Sequence, residues 1–227
     1  MTEPIKKRVT RKRPTTTQAP AEVERNLRAQ GIRTRNAIIH AAKKLLIEGG
    51  SLEFTLREVA LRAEISVSNL QYYFPTRLAV LRAVLEPTIN SLLDELKRAL
   101  ETGIAPSESL DALAKRALRD SKDGEKSALW WHFISLAAID SECSRLFDEW
   151  YETVTRAIAY VIRAARPDCG EADSLQRAAL LMAMADGLSF QTGAGRRNRA
   201  YTRGIEAKFL SVVDCVLYGE ALGARKI

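Results

Sequence analysis

Histidine and cysteine are scarce in this chain, with two of the first and three of the second among 227 residues. Cys143, Cys169 and Cys215 lie far apart, and neither a C-x-x-C pair nor an H-E-x-x-H run occurs, so no metal site is spelled out. Three scattered thiols exclude a disulfide framework and fit a reducing cytoplasm. Gly193-Ala194-Gly195 is preceded by no strand and followed by no Gly-Lys-Ser/Thr, which excludes a phosphate-cradling loop. No nucleophile–base pairing stands out, so the chain is read as no enzyme, with no cofactor and no metal. No apolar stretch follows the N-terminal charges, which excludes a secretory signal. Without an amphipathic apolar face or a lipidation motif there, no membrane partner is expected. Alternating strand patterning is absent too, and the chain is expected to be all-α.

What the sequence does have is positive charge, unevenly placed. The formal charge is +7 and the pI is near 9.4. Residues 1–36 hold ten Lys or Arg against three Glu, whereas the other 191 residues hold 25 of each sign. Residues 1–31 read as a basic arm, with Lys6, Lys7, Arg8, Arg11, Lys12 and Arg13 set among Pro4, Pro14, Pro20 and a Thr15-Thr16-Thr17 run. Having little apolar surface to bury, the arm is expected to be disordered. Residues 21–31 are compatible with a short helical extension before Gly31. The arm either lies along phosphates or in a minor groove, or merely solubilises. Beyond it, a chain with 46% apolar residues has ample material for a core.

The most informative stretch is Thr55–Arg77, TLREVALRAEISVSNLQYYFPTR. Thr55 is placed to cap a helix, with Glu58 three residues on as the second half of a capping box. Leu56, Val59, Ala60 and Ala63 recur at helical spacing. Ala63-Glu64-Ile65 makes a turn, and Ser66 caps a second helix that buries Leu70 and Phe74. That helix must stop near Pro75, because the residue before a proline is pushed out of the helical region. Its remaining side chains are uncharged. Asn69 and Gln71 suit an adenine edge, Ser68 suits either base of a pair, and Val67 suits a thymine methyl. Val67, Ser68, Asn69, Gln71 and Tyr72 are therefore the candidate base readers. Thr55, Arg57, Tyr73, Thr76 and Arg77 are the candidates for the DNA backbone, with Arg57 also within reach of a base. Tyr72, Tyr73 and Phe74 are equally compatible with a core.

The wording AEISVSNLQYYFPTRLAVL resembles the DNA-binding domain of the TetR family of transcriptional repressors over Arg33–Leu85. The family's run is Ala-Gly-Val-Ser, four variable positions, an aromatic cluster and Phe-Pro-Ser-Lys. Two positions depart from it. Glu64 stands at the family's turn glycine, where a left-handed backbone costs another residue about 1–2 kcal/mol. Gln71 stands where an aromatic residue is common. The resemblance implies a three-helix helix-turn-helix domain over 32–78, followed by a larger helical ligand-binding and dimerisation domain over 79–227, about nine helices in all.

The first core helix is expected from Arg33 to Glu48, with Ile38, Ala41, Ala42, Leu45 and Leu46 buried and His40 on its flank; Gly49-Gly50 ends it. A helix over 76–101 is interrupted but not ended by Pro87, since apolar spacing resumes at Ile89, Leu92, Leu93 and Leu96. Further helices are expected over 107–121, 125–138, 141–165, 172–192 and 200–221, with breaks at Asp123-Gly124, Pro167–Gly170 and Gly193–Asn198. Trp130, Trp131, Phe133, Phe147, Trp150 and Tyr151 cluster on two successive helices and suit the wall of an effector cavity. His132, Asp186 and Gln191 are the polar candidates beside them. Each of the nine is also compatible with simple packing. FISLAAIDSECSRLFDEW resembles the C-terminal domain of the BetI-like branch. The last two helices carry Leu175, Ala179, Met182, Ala183, Leu188, Phe209, Val212, Val213, Val216 and Leu217. The resemblance implies that they pair across a two-fold axis. Arg196, Arg197 and Arg199 fall in the loop between them and read as a solvated turn.

The function expected is a cytoplasmic, ligand-responsive transcriptional regulator, a repressor by family habit. It would bind a palindromic DNA operator as a homodimer and answer to an unidentified small-molecule effector. The alternative is a sequence-indifferent, architectural DNA binder that draws its affinity from the arm and shows a steep salt dependence.

Overall fold

The computed structural model describes residues 20–193 and 198–219, with side chains from Arg28 onward. The expectations for residues 1–19, for Arg196 and Arg197, and for residues 220–221 lie outside the described residues. Among the described residues are nine α-helices, one 3-10 turn and no strand. The chain is all-α.

Contacts divide the chain into two units, residues 1–37 and 38–227. In the first, the described part is the opening of α1 (Pro20–Glu53), which runs through Gly31 without a break. Thr34 Oγ1 donates to the Gln30 carbonyl at 3.1 Å and Arg33 to the Gln30 side chain at 2.9 Å. The extension expected over 21–31 is therefore one piece with the core helix. A lone glycine inside a helix costs only about 1 kcal/mol and does not stop it.

In the second unit Ile38, Ala41, Ala42, Leu45 and Leu46 are buried along α1, and His40 is exposed. Gly50, at φ +70°, kinks the element, which then continues to Glu53 rather than ending at Glu48. Thr55 accepts from Glu58 N and caps α2 (Leu56–Arg62). The Glu58 carboxylate turns to Arg62 at 3.7 Å, and the cap is made by the Thr55 half of the box. Ile65 N donates to the Ala60 carbonyl at 3.1 Å and closes the turn. Glu64 sits in the left-handed region at φ +56°, alone among the described non-glycine residues. Ser66 accepts from Asn69 N and caps α3 (Val67–Tyr73), which is pinned by Leu70 and Phe74. Thr76 caps α4 (Arg77–Glu101), a single helix that contains Pro87.

The larger part comprises α5 (Pro106–Ser121), α6 (Gly124–Ala137), α7 (Ser141–Ala165), α8 (Glu171–Thr192) and α9 (Ile205–Tyr218). Asp123 and Asp140 each accept two backbone N–H groups and start α6 and α7. α7 packs against α4, α5, α6 and α8. It is the central staple of the body through Leu146, Trp150, Val154, Ile158, Val161 and Ile162, all nearly or fully buried. The last predicted helix, 200–221, is instead divided. A 3-10 turn (Ala200–Thr202) precedes Gly204 at φ +72°, and α9 starts only at Ile205.

Part of the apolar surface expected to pair is buried within the chain. Leu188, Phe209, Val213 and Leu217 are at most 8% exposed and fill the monomer. Of the residues expected to pair, Ala179 and Ala183 are exposed, on an outward side of α8 that also carries Gln176, Leu180, Gly187 and Phe190 at helical spacing. α8 carries apolar residues on several sides, so periodicity alone could not tell its two sides apart.

Candidate DNA-reading surface and effector cavity

α3 is held by its inward residues and presents the others. Leu70 is fully buried and Phe74 is 4% exposed, whereas Tyr72 is 82% exposed. Val67, Ser68, Asn69 and Gln71 are exposed on the same short helix. The Ser68 hydroxyl shares a hydrogen bond with Ser66 Oγ at 3.0 Å. Tyr73 is half-buried, edge-on to Tyr72 with ring centroids 5.2 Å apart. Thr55 and Arg57 are exposed at the start of α2, and Thr76 is exposed at the start of α4. The Thr55 and Thr76 oxygens accept from Glu58 N and Ala79 N, each hydroxyl keeping its own proton to donate.

Arg77 is placed differently. Its guanidinium is paired with Asp140, the cap of α7, and both side chains are about one-third exposed. The hydrogen bond from Cys143 N and the nearby Arg77 hold the Asp140 carboxyl below its ordinary range, against a smaller opposing effect of burial. One turn further on, Arg82 donates to both oxygens of Glu149 at 3.3 and 3.0 Å. Lys43 reaches Glu125 at 3.0 Å. Helices α1 and α4 are thus tied by charge to α6 and α7. Cys143 beside this junction is buried, and burial together with Asp140 pushes its thiol up to about 11. It is an inert thiol at neutral pH.

A cavity of about 230 Å³ lies among α4, α5, α6, α7, α8 and α9. Of the nine effector candidates, Trp130, Trp150, Tyr151 and Asp186 line it. The other five lie elsewhere. Phe133 is fully buried against Trp130, Phe147 and Trp150. Phe147 stacks on Tyr151 at 4.4 Å and backs the wall from behind. Trp131 donates to Ser189 Oγ at 3.1 Å and meets Phe190 edge-on. His132 lies over Gly50, and Gln191 is exposed. Sequence reasoning missed Leu85, Ile89, Leu113 and Val213 in the wall, and it missed Ser127. The spacing of Ser127, one turn before Trp130, was the available signal.

Asp186 is the polar centre of this wall. Trp130 Nε1–H donates to one carboxylate oxygen at 2.9 Å, and the Tyr151 hydroxyl donates to the other. Burial pushes the carboxyl up to about 6, with the Trp130 bond pulling the other way. Arg116 and Lys126 also line the cavity but are already engaged, Arg116 by Glu95 and Asp120 and Lys126 by Asp120. No group of three His, Cys, Asp or Glu among the described residues could hold a metal ion. Among the same residues, no helix is long and apolar enough to cross a membrane.

A three-helix head with an uncharged reading helix, joined to a helical body with an internal cavity, defines a helix-turn-helix regulator. The family model described as bacterial regulatory proteins of the tetR family matches residues 38–84, and that of the BetI-type transcriptional repressor C-terminus matches residues 106–207. The BetI regulator of Rhizobium meliloti is 29% identical over 156 residues, 68% of this chain and 75% of that one. A Rhodococcus TetR-family regulator superposes with a TM-score of 0.67 at 20% identity, covering 82% of this chain and 99% of that one. A transcriptional regulator of Saccharomonospora viridis, solved in complex with choline, gives 0.63 at 20% identity, covering 80% and 96%. At that identity the solved structures bear on the fold. The chain belongs to the TetR family of transcriptional regulators, with a BetI-type C-terminal half; it is a DNA-binding protein and not an enzyme.

Proposed function

We propose that the chain is a cytoplasmic homodimeric repressor that releases a palindromic operator when a small molecule fills the body cavity. The observation that carries this reading is α3, whose outward face offers Val67, Ser68, Asn69, Gln71 and Tyr72 without a single charge. A helix that served only for phosphate affinity would carry Lys and Arg there. Residues 32–78 form the reading domain in this proposal, and residues 79–227 the sensing and pairing domain. Thr55, Arg57, Tyr73, Thr76 and Arg77 position the head on the backbone, and the basic arm adds phosphate contacts. Pairing through the exposed stripe of α8, flanked by α9, sets two reading helices on half-sites about 34–36 Å apart.

The effector acts by binding one spacing of the heads more tightly than the other. α7 is the element suited to carry that bias, because it bears both Asp140 at the head junction and Tyr151 in the cavity wall. The choline held by the Saccharomonospora regulator makes a small quaternary ammonium the first compound to try.

The test is selection of a random duplex pool on the purified protein at physiological salt, with sequencing of the bound fraction. An enriched inverted repeat that is released by an effector is the expected result. Binding with a steep salt slope and no enriched sequence would sink the reading in favour of the architectural one, which the charge surplus in residues 1–36 would then explain.

A further inference from the structure

A positive charge brought into the cavity finds the places suited to it already taken. The charged residues of the lining are Arg116, Asp120, Lys126 and Asp186, two of each sign. Asp120 accepts from Lys126 at 2.7 Å and from Arg116 at 3.3 Å, and Glu95 holds Arg116 further. The Trp150 ring has the Arg82 guanidinium over it, 5.8 Å from the centroid. Trp130, Tyr151 and Phe147 stack on one another. Asp186 is the lining charge with no ion pair among the described residues, and neutral donors meet both its oxygens, Trp130 Nε1–H on one and the Tyr151 hydroxyl on the other. Burial moves its carboxyl up to about 6, towards the uncharged acid. A ligand that expels water from the cavity moves it further the same way. Each oxygen still keeps a lone pair for one more donor. The rest of the lining is largely aliphatic, with Leu85, Ile89, Leu92, Leu113, Ile158 and Val213 among it.

We propose that the cavity takes a small uncharged molecule, apolar over most of its surface with a hydroxyl that donates to Asp186, and discriminates against organic cations. This rests on the effector-site reading above and specifies its ligand class. A carboxyl already held by neutral donors accepts a ligand O–H in either protonation state, since the acid form keeps acceptor capacity. An ammonium, by contrast, gains from Asp186 only if the carboxyl stays charged in a dry wall, and from Trp150 only in competition with Arg82. The volume sets the size. A cavity of about 150 Å³ holds benzene, so a ligand of roughly nine heavy atoms is in proportion here, at about 230 Å³. Alkanols and alkylphenols of that size have the required chemistry. Choline matches in size and hydroxyl but not in charge.

The experiment is calorimetric and tryptophan-fluorescence titration of the full chain with probes paired in shape and differing in charge. 3,3-Dimethylbutan-1-ol is choline with carbon in place of the ammonium nitrogen, and octan-1-ol is matched in length by octylammonium. Each alcohol is expected to bind at least tenfold tighter than its cation. Asp186→Asn keeps an acceptor oxygen, so alcohol affinity should change by less than about threefold. Asp186→Leu removes the acceptor and should weaken both alcohols about three- to tenfold. Where the leucine variant disturbs the wall, the asparagine variant still decides, because a site for a cation would lose at least tenfold with it. Leu113→Trp fills the cavity and should abolish the binding of all four probes.

A cation that binds as tightly as its paired alcohol, or a tenfold loss with Asp186→Asn, would overturn the uncharged ligand while the cavity stood as the effector site. Binding that survives Leu113→Trp would put the probes outside the cavity and overturn the assignment to Asp186. If no member of either pair binds, the effector-site reading fails and this proposal fails with it.

Discussion

At the scale of single residues, two side chains sit where their chemistry works against the fold. Glu64 holds φ +56°, a left-handed backbone that a Cβ disfavours by about 1–2 kcal/mol. Glu64→Gly relieves that strain but adds freedom to the unfolded chain worth about 0.5–1 kcal/mol. The expected net is a gain of about 0–1.5 kcal/mol, raising the melting midpoint by up to roughly 3–6 °C. Glu64→Ala keeps the Cβ and should show no gain, so equal midpoints for the two variants would remove the strain argument.

Asp186 is the second case. Its carboxyl is raised to about 6 from an ordinary 3.8 because burial penalises the charge. The native state therefore binds its proton more tightly than the unfolded chain does. This stability is fully present below pH 4, declines as pH rises to about 6, and stays lost above. The cost of ionising it is on the order of 3 kcal/mol. Asp186→Asn, with Trp130 and Tyr151 still able to bond the amide, should be more stable than the parent by about 2 kcal/mol at pH 7.5. Near pH 4 the two should match, as paired denaturant titrations would measure. A difference independent of pH would mean that the carboxyl is not ionised in the folded protein.

At the scale of elements, ion pairs join α1 and α4 to α6 and α7, and the most consequential is Arg77 with Asp140. If Arg77 serves a phosphate, it must leave Asp140 to do so, and the intramolecular pair then opposes DNA binding. Asp140→Asn removes that competitor and keeps the cap, since asparagine caps a helix as well as aspartate does. Operator affinity should rise about three- to tenfold, equally for all operator variants. Arg77→Ala should lower it for every sequence alike, whereas Gln71→Ala should relax discrimination at one operator position. Fluorescence-anisotropy titrations on a panel of single-base operator variants measure all three. Unchanged affinity for Asp140→Asn would show that Arg77 is structural.

Much of this element plan is legible in the sequence because the helix starts are written in short polar caps. Thr55, Ser66, Thr76, Asp123 and Asp140 each accept backbone N–H groups at a helix start, and the predicted boundaries fall within a residue or two. The misses have physical causes. Gly31 reads as a stop but sits in α1 without a turn to form, and Gly204 stops a helix whose apolar spacing continues across it. The site was less legible than the fold. α6 is apolar on several sides at once, so spacing could not say that Trp130 faces the cavity while Trp131 and Phe133 face elsewhere. That Ser127 Oγ has no hydrogen-bond partner among the described residues depends on what α8 brings against it, which no local pattern records.

At the scale of the whole molecule, one chain offers one reading helix, and a palindrome needs two in fixed register. Ala179, Leu180, Ala183, Gly187 and Phe190 lie on one exposed side of α8, with Leu180 and Phe190 each 50% exposed. Small residues along that line let two copies approach closely, and the two larger ones supply apolar area at its edges. A two-fold pairing places Ala183, at the middle of the stripe, near its own copy. Ala183→Glu then sets two carboxylates against each other in a desolvated contact, at a cost of several kcal/mol to the dimer. Within one chain the same position is exposed, so the monomer should keep its helicity and its melting behaviour in dilute solution. Sedimentation at micromolar protein should therefore find monomers for Ala183→Glu and dimers for the parent. Operator affinity should fall at least a hundredfold while weak, salt-sensitive binding to any duplex remains. A dimer that persists in the variant would move the two-fold axis off α8, and the head spacing would then have to be set by another face.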